Sequence, residues 1–148
     1  NKGACCKTLC AHPVMLGAIA SLIGSDFIPT WDSLVFKAPG KGVPIKWHRD
    51  ASMESVNDGR PAIDVGIYLD EATVAMDNCL WVIPGTHKWP DAMAASMIDF
   101  LCADGFKKNG AIPVPVGPGD AIFHNILVLH GSAACTSPLR RTVYYEYR

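Results

Sequence analysis

Trp47-His48-Arg49-Asp50 places an imidazole and a carboxylate two residues apart, and Val128-Leu129-His130-Gly131-Ser132 supplies a second imidazole much later in the chain. A His-x-Asp pair reaches two adjacent positions on one metal ion when it sits where a strand ends and the chain begins to turn. A third ligand then completes one face of the coordination sphere. Two histidines and one carboxylate, with the opposite positions open, are the donor set of non-heme Fe(II) sites that must also bind a cosubstrate and dioxygen. A His-x-Asp alone is too common to establish a metal site, so the weight rests on what accompanies it.

Arg140 and Arg141 open a β-branched and aromatic run, through Thr142-Val143-Tyr144-Tyr145-Glu146-Tyr147, that reads as a strand. A guanidinium presents a planar fork of donors that matches a carboxylate bidentately, so an arginine inside a barrel beside the metal would hold the far end of a dicarboxylate. The Ser132 hydroxyl, two residues past His130, can reach the same carboxylate. Strand alternation puts Arg141, Val143 and Tyr145 on one face and Arg140, Thr142 and Tyr144 on the other. Each face carries a tyrosine, so alternation does not choose between the arginines.

With these residues in hand, the chain resembles the phytanoyl-CoA dioxygenase family of Fe(II)/2-oxoglutarate oxygenases. Besides His48-x-Asp50, the segment Asp77-Asn78-Cys79-Leu80-Trp81-Val82-Ile83-Pro84-Gly85-Thr86-His87 is similar to the family's Asn-Gly-Cys-Leu-x-x-x-Pro-Gly-Ser/Thr-His. Gly119-Asp120-Ala121-Ile122-Phe123-His124-Asn125 leads into His130-Gly131-Ser132, with Ser137 and Arg141 at the family's spacing. The resemblance implies His48, Asp50 and His130 as catalytic iron ligands and selects Arg141, with Ser132, as the 2-oxoglutarate anchor. It implies Fe(II), 2-oxoglutarate and dioxygen as the reactive set, with ascorbate as a supporting reductant in vitro. His87 is not an iron ligand in the family and reads as a side chain satisfying its own loop. His124 reads as supporting the ligands or the structure, and His12 as a surface residue. The family's frequent tryptophan is replaced here by Gly66, which predicts a wider pocket. Asn78 stands for the usual glycine, a mild change because asparagine tolerates the left-handed conformation.

The elements that must position these groups can be read from pattern. Pro13 to Gly24 has helical apolar spacing, with proline near the start and glycine as the stop, and is expected on the outside of a sheet. Strands are expected over 31–38, 45–47, 63–69, 79–83, 111–116, 120–123, 128–133 and 141–147, with a short helix over 91–102. Pro39-Gly40-Lys41-Gly42 and Gly117-Pro118-Gly119 are turn chemistry, and 53–60 with Asn57-Asp58-Gly59 is a loop expected to cover the site. Many short strands punctuated by proline and glycine argue for a mainly β fold: a double-stranded β-helix, or cupin-type jelly roll, with one or two flanking helices.

At 148 residues the chain suits one jelly-roll domain spanning 1–148. It opens at Asn1 without methionine, and the resemblance implies a longer N-terminal part. Almost half the residues are apolar and the formal charge is -1, which predicts neither disorder nor nucleic-acid binding and leaves the oligomeric state open. The six cysteines lack the spacing of a disulfide scaffold and are expected reduced, with Cys5, Cys6 and Cys10 on a terminal helix. The sequence reading finds no apolar run approaching bilayer length and no signal peptide, so no membrane partner and a cytoplasmic location are expected.

The function that follows is hydroxylation of a small organic substrate coupled to oxidative decarboxylation of 2-oxoglutarate. Asp50 argues against halogenation, because halogenases of the family replace that carboxylate with a small residue. The rivals are a non-catalytic jelly-roll module that binds a metabolite or partner, and a cupin-type metalloenzyme without 2-oxoglutarate, in which Arg141 and Ser132 would have no task.

Overall fold

A computed structural model describes residues 3–40, 43–56, 59–135 and 138–148. In chain order the elements are helices α1 (Ala4–Cys10) and α2 (Pro13–Ile23), strands β1 (Pro29–Lys37), β2 (Ile45–His48), β3 (Ile63–Tyr68) and β4 (Leu80–Ile83), helix α3 (Asp91–Asp104), and strands β5 (Ile112–Val114), β6 (Ala121–Asn125), β7 (Leu129–Ser132) and β8 (Arg140–Tyr147). Each expected strand forms, within a few residues of its expected bounds. The α-helices number three among the described residues, and α3 runs two residues past its expected end.

The strands make two four-stranded antiparallel sheets, one ordered β1-β8-β3-β6 and the other β2-β7-β4-β5. Their inner faces enclose the site, and each outer face is covered by a helix, so this is the expected jelly roll. Pro13 opens α2, where a missing N–H costs nothing, and Gly24 closes it at φ 88°. The helix lays Met15 and Ile19 on the outer face of the first sheet, against Ile63, Val65, Ile67, Tyr145 and Tyr147. Full burial of Ile19 is worth about 1.5–3 kcal/mol. Tyr145 and Tyr147 donate their hydroxyls to the carbonyls of Cys6 and Cys10, which fixes this face of β8 as the helix side. On the second sheet, α3 seats Leu101 over Trp47, Trp81, Ile83 and Leu129.

Two expectations are corrected here. Asn78 does not take the left-handed conformation; the neighbouring Asp77 does, at φ 50°. Asn78 is fully buried instead, its side chain accepting from the Thr73 N–H and donating to the Glu71 carbonyl, so it staples a turn through its amide. The stretch Ala4–Ile23, over 20 residues and with a mean hydropathy of 1.5, is long and apolar enough by length and composition to cross a membrane. Taken together, the two helices reach a length that neither reaches alone. Lys41, Gly42, Asn57 and Asp58, in the expected turn and covering loop, lie outside the described residues. The cysteines are all free, as expected, with Cys5 and Cys6 exposed on α1.

A bulge in β2 aims the first histidine. Ile45 pairs with Ser132 and His48 with His130, so three steps along β2 match two along β7. The extra residue breaks the alternation and lets Ile45 and His48 both face inward, while Trp47 stays on the outer face, stacked on Phe106 at 5.1 Å. Gly131 makes this possible, because a Cβ there would meet the Ile45 carbonyl and the Phe106 ring, each at 2.8 Å. Replacing Gly131 with alanine should therefore force β2 and β7 apart and destabilise the protein by about 1–3 kcal/mol. Urea denaturation measures this, and an unmoved midpoint would show that the bulge is not held by close approach.

Candidate metal and dicarboxylate site

His48 at the end of β2 and His130 in β7 are cross-strand neighbours with ring centroids 4.2 Å apart. Each turns its Nδ1 to a carbonyl two residues back, His48 to Lys46 at 2.7 Å and His130 to Val128 at 3.0 Å. A carbonyl can only accept, so Nδ1 carries the proton in both rings and both Nε2 lone pairs point inward. Asp50 follows the strand end, its N–H bonded to the Ile126 carbonyl at 3.0 Å, and brings Oδ1 to 3.5 Å from both Nε2 atoms. One donor atom from each of His48, Asp50 and His130 lies within 4.8 Å of the others. Two imidazole lone pairs and one carboxylate oxygen converge as a divalent cation requires, so the donor set fits the expected ion.

Arg49, between the two ligands, faces the other way. It donates to Asp91 at the start of α3 and to the carbonyls of Thr86 and Trp89, locking the strand end to its surroundings. Thr86 in turn donates to the Ile83 carbonyl and accepts from the Leu129 N–H at 2.8 Å, tying this loop to β7 just before His130. His87 stands outside the cluster, as expected, although the local bonds expected of it are made by Thr86.

His124 on β6 was read as a supporting residue, and its geometry specifies how. Its Nε2 donates to Asp50 Oδ2 at 3.1 Å, which leaves Oδ1 to face the other two imidazoles. Asp64, its cross-strand partner on β3, is also buried, and its carboxyl group reaches the Asp50–His124 pair. Burial opposes ionisation of Asp50, but the bond from His124 outweighs it and holds its carboxyl well below the usual range. Burial, reinforced by the neighbouring His124 and His48, pushes His130 down to about 3, so it is neutral as a ligand must be. Burial raises Asp64 to about 7.

The other end of the cavity is cationic. Arg140 is wholly buried, bonds the Asn78 carbonyl through Nη1 at 2.6 Å and lies over the Tyr68 ring, while its Nε and Nη2 have no partner. Its cross-strand neighbour Lys37 is 3 % exposed and donates to Ser132 Oγ at 2.7 Å and to the Ala133 carbonyl. Burial, with Arg140 beside it, lowers Lys37 to about 8. The cavity between the two ends is about 120 Å³ and is lined by His48, Asp50, His130, Ser132, Arg140 and Tyr144, among others. A wider groove past Trp31, Glu146 and Arg148 leads to the same Asp50.

Arg141 is not part of this site, which corrects the choice made from family spacing. Its side chain is 42 % exposed on the helix side and forms a bidentate pair with Asp70, at 2.9 and 2.8 Å. Arg140 is instead the inward member of the pair. Tyr145 and Tyr147, bonded to α1, put every second residue of β8 outside and Arg140, Thr142 and Tyr144 inside. Lys37, Asp64 and Tyr144 were missed altogether; a lysine in step with Trp31, Ser33 and Val35 on one face of β1 was the available signal. Ser132 does line the cavity, while Ser137 lies outside the described residues.

A two-sheet jelly roll with two histidines and a carboxylate on its inner wall has the fold and donor set of a non-heme metal oxygenase. Comparison with known proteins gives the family: residues 2–143 match the model of phytanoyl-CoA dioxygenase, and the chain belongs to that family. It is 31% identical over 121 residues to phytanoyl-CoA dioxygenase domain-containing protein 1 of Danio rerio, covering 74% of this chain and 40% of that protein. Among solved structures, EvdMO1 superposes with a TM-score of 0.78 at 32% identity, over 94% of this chain and 31% of its own. The non-heme α-ketoglutarate-dependent carbocyclase SnoK from nogalamycin biosynthesis shares the fold, with a TM-score of 0.76 at 21% identity over 95% of this chain and 57% of its own. The chain thus spans less than two thirds of each of these proteins.

The bond from His124 generates a prediction. His124→Leu frees the Asp50 carboxylate to turn and should lower Mn(II) affinity about 10- to 100-fold, whereas His124→Gln, which keeps an N–H donor, should recover much of it. Calorimetric titration reads both, and equal affinities in the two variants would show that the bond does not orient Asp50.

Proposed function

We propose that this chain is the catalytic jelly roll of an Fe(II)/2-oxoglutarate-dependent dioxygenase that hydroxylates a small organic substrate. The observation that carries the reading is buried Arg140, with two partnerless nitrogens and buried Lys37 opposite it across β1 and β8, at the end of a cavity whose other end is a His-Asp-His cluster. Like charges directly opposite on a sheet destabilise it, and a buried guanidinium with unpartnered nitrogens is costly. An anion bound between the two would relieve both. A dicarboxylate with a keto group at its near end matches the two ends at once. The non-catalytic rival leaves the inward Nε2 lone pairs without a task, and a metalloenzyme without 2-oxoglutarate leaves Lys37 and Arg140 without one.

In this reading His48, Asp50 and His130 hold the iron by one face, and Arg140 holds the remote carboxylate through the nitrogens that have no protein partner. Ser132 is oriented by Lys37 and offers its hydroxyl to the same carboxylate. Iron, 2-oxoglutarate and dioxygen together supply the oxidising chemistry: 2-oxoglutarate is converted to succinate and CO2 as one oxygen atom enters a C–H bond of the substrate. The buried walls keep bulk water from the reacting centre. The primary substrate would approach through the groove past Trp31, beside Asp50 and Asp64.

Two outcomes test this. The protein supplied with Fe(II), ascorbate and 2-oxoglutarate should release succinate slowly even without its primary substrate, and His130→Ala should abolish the signal. Absence of succinate from the unaltered protein, with iron shown to be bound, would favour the rivals. Arg140→Lys keeps the charge and loses the planar fork, and should weaken 2-oxoglutarate binding to the Mn(II) protein about tenfold or more. Arg141→Lys should change it little, and the reverse order would return the anchor to Arg141.

A further inference from the structure

Gly66 was expected to leave the pocket wide, and it does not. On the inner face of β3 it pairs with Tyr144 of β8, and the phenol ring lies across the space a side chain at 66 would fill. A Cβ built on Gly66 would stand 2.6 Å from Tyr144 Cε1 and 3.2 Å from Cδ1 and Cζ. The ring is therefore seated on the glycine, and it forms the wall between Asp64, near the metal cluster, and Tyr68 and Arg140 at the cationic end.

The consequence concerns the shape of the molecule held there. Its two ends would be pinned, one at His48, Asp50 and His130 and the other at Arg140, and all four of these side chains are fastened to protein groups. A chain one methylene longer, held by the same two ends, must bow sideways. In a cavity of about 120 Å³ the Tyr144 ring is the wall on the β3–β8 side. We propose that Tyr144, seated on Gly66, is a specificity-determining residue that restricts the cavity to a five-carbon 2-oxo dicarboxylate and rejects the six-carbon homologue. The inference rests on the reading of the cavity as a 2-oxoglutarate site and adds which group sets the accepted length.

The test is calorimetric titration of the Mn(II)-loaded protein, without oxygen, with 2-oxoglutarate and with 2-oxoadipate. The unaltered protein should prefer 2-oxoglutarate by about tenfold or more, the usual scale for one methylene in a tight pocket. Tyr144→Ala should remove most of that preference. Tyr144→Phe keeps the ring and should keep the preference, which separates the wall from any bond made by the hydroxyl. Gly66→Leu added to Tyr144→Ala places a side chain in the vacated space and should restore discrimination, an effect that general loosening of the fold could not produce. If the unaltered protein binds both acids equally, or Tyr144→Ala discriminates as well as the unaltered protein, the assignment of Tyr144 is overturned while the 2-oxoglutarate reading stands. If neither acid binds the unaltered protein, that reading fails and this inference with it.

Discussion

The arrangement around Asp50 is the constraint on which the site depends. The Asp50 carboxylate, partly open to solvent, is approached by three imidazoles, two through Oδ1 and one through Oδ2. These imidazoles come from both layers of the fold: His48 and His130 from one sheet, His124 from the other. The carboxylate thus bridges the two inner faces at the point where they must be held at a fixed separation. The two ligand histidines are each committed to a backbone carbonyl through Nδ1, so their free lone pairs can only converge on the same place. The candidate donor face is therefore formed by the fold itself.

The cavity is electrically lopsided. Acceptors gather at one end, and two cations without a facing carboxylate gather at the other, joined across β1 and β8. Desolvation of Lys37 and Arg140 is an energetic cost that the surrounding fold absorbs, through the Ser132, Ala133 and Asn78 oxygens and the face of Tyr68. Those bonds leave part of the guanidinium without a partner. The proteins of the comparison are longer than this chain, so their further segments have no counterpart among the residues described here.

Sequence alone determined the architecture and pointed to the three residues that the fold brings together as a candidate ligand cluster. Alternation, turn chemistry and short apolar runs located the eight strands, and His48, Asp50 and His130 were legible because their chemistry is rare and their order distinctive. The outer helix over 13–23 followed from proline, glycine and a 3.6-residue period. These features are local, or depend on residue type rather than on how surfaces meet.

What the tertiary structure decided was which face of a strand is inside. In β8 each face carries an arginine and a tyrosine, so no count of apolar residues could choose between them; the anchoring of Tyr145 and Tyr147 to α1 turns Arg141 out to Asp70 and Arg140 in. A bulge that shifts β2 by one residue, a lysine drawn under Ser132 and a phenol ring laid over Gly66 are likewise products of cross-strand register. Register depends on pairs of residues 78 to 103 positions apart, from Gly66 with Tyr144 to Lys37 with Arg140. A strand slipped by one residue presents its opposite face while its sequence remains the same.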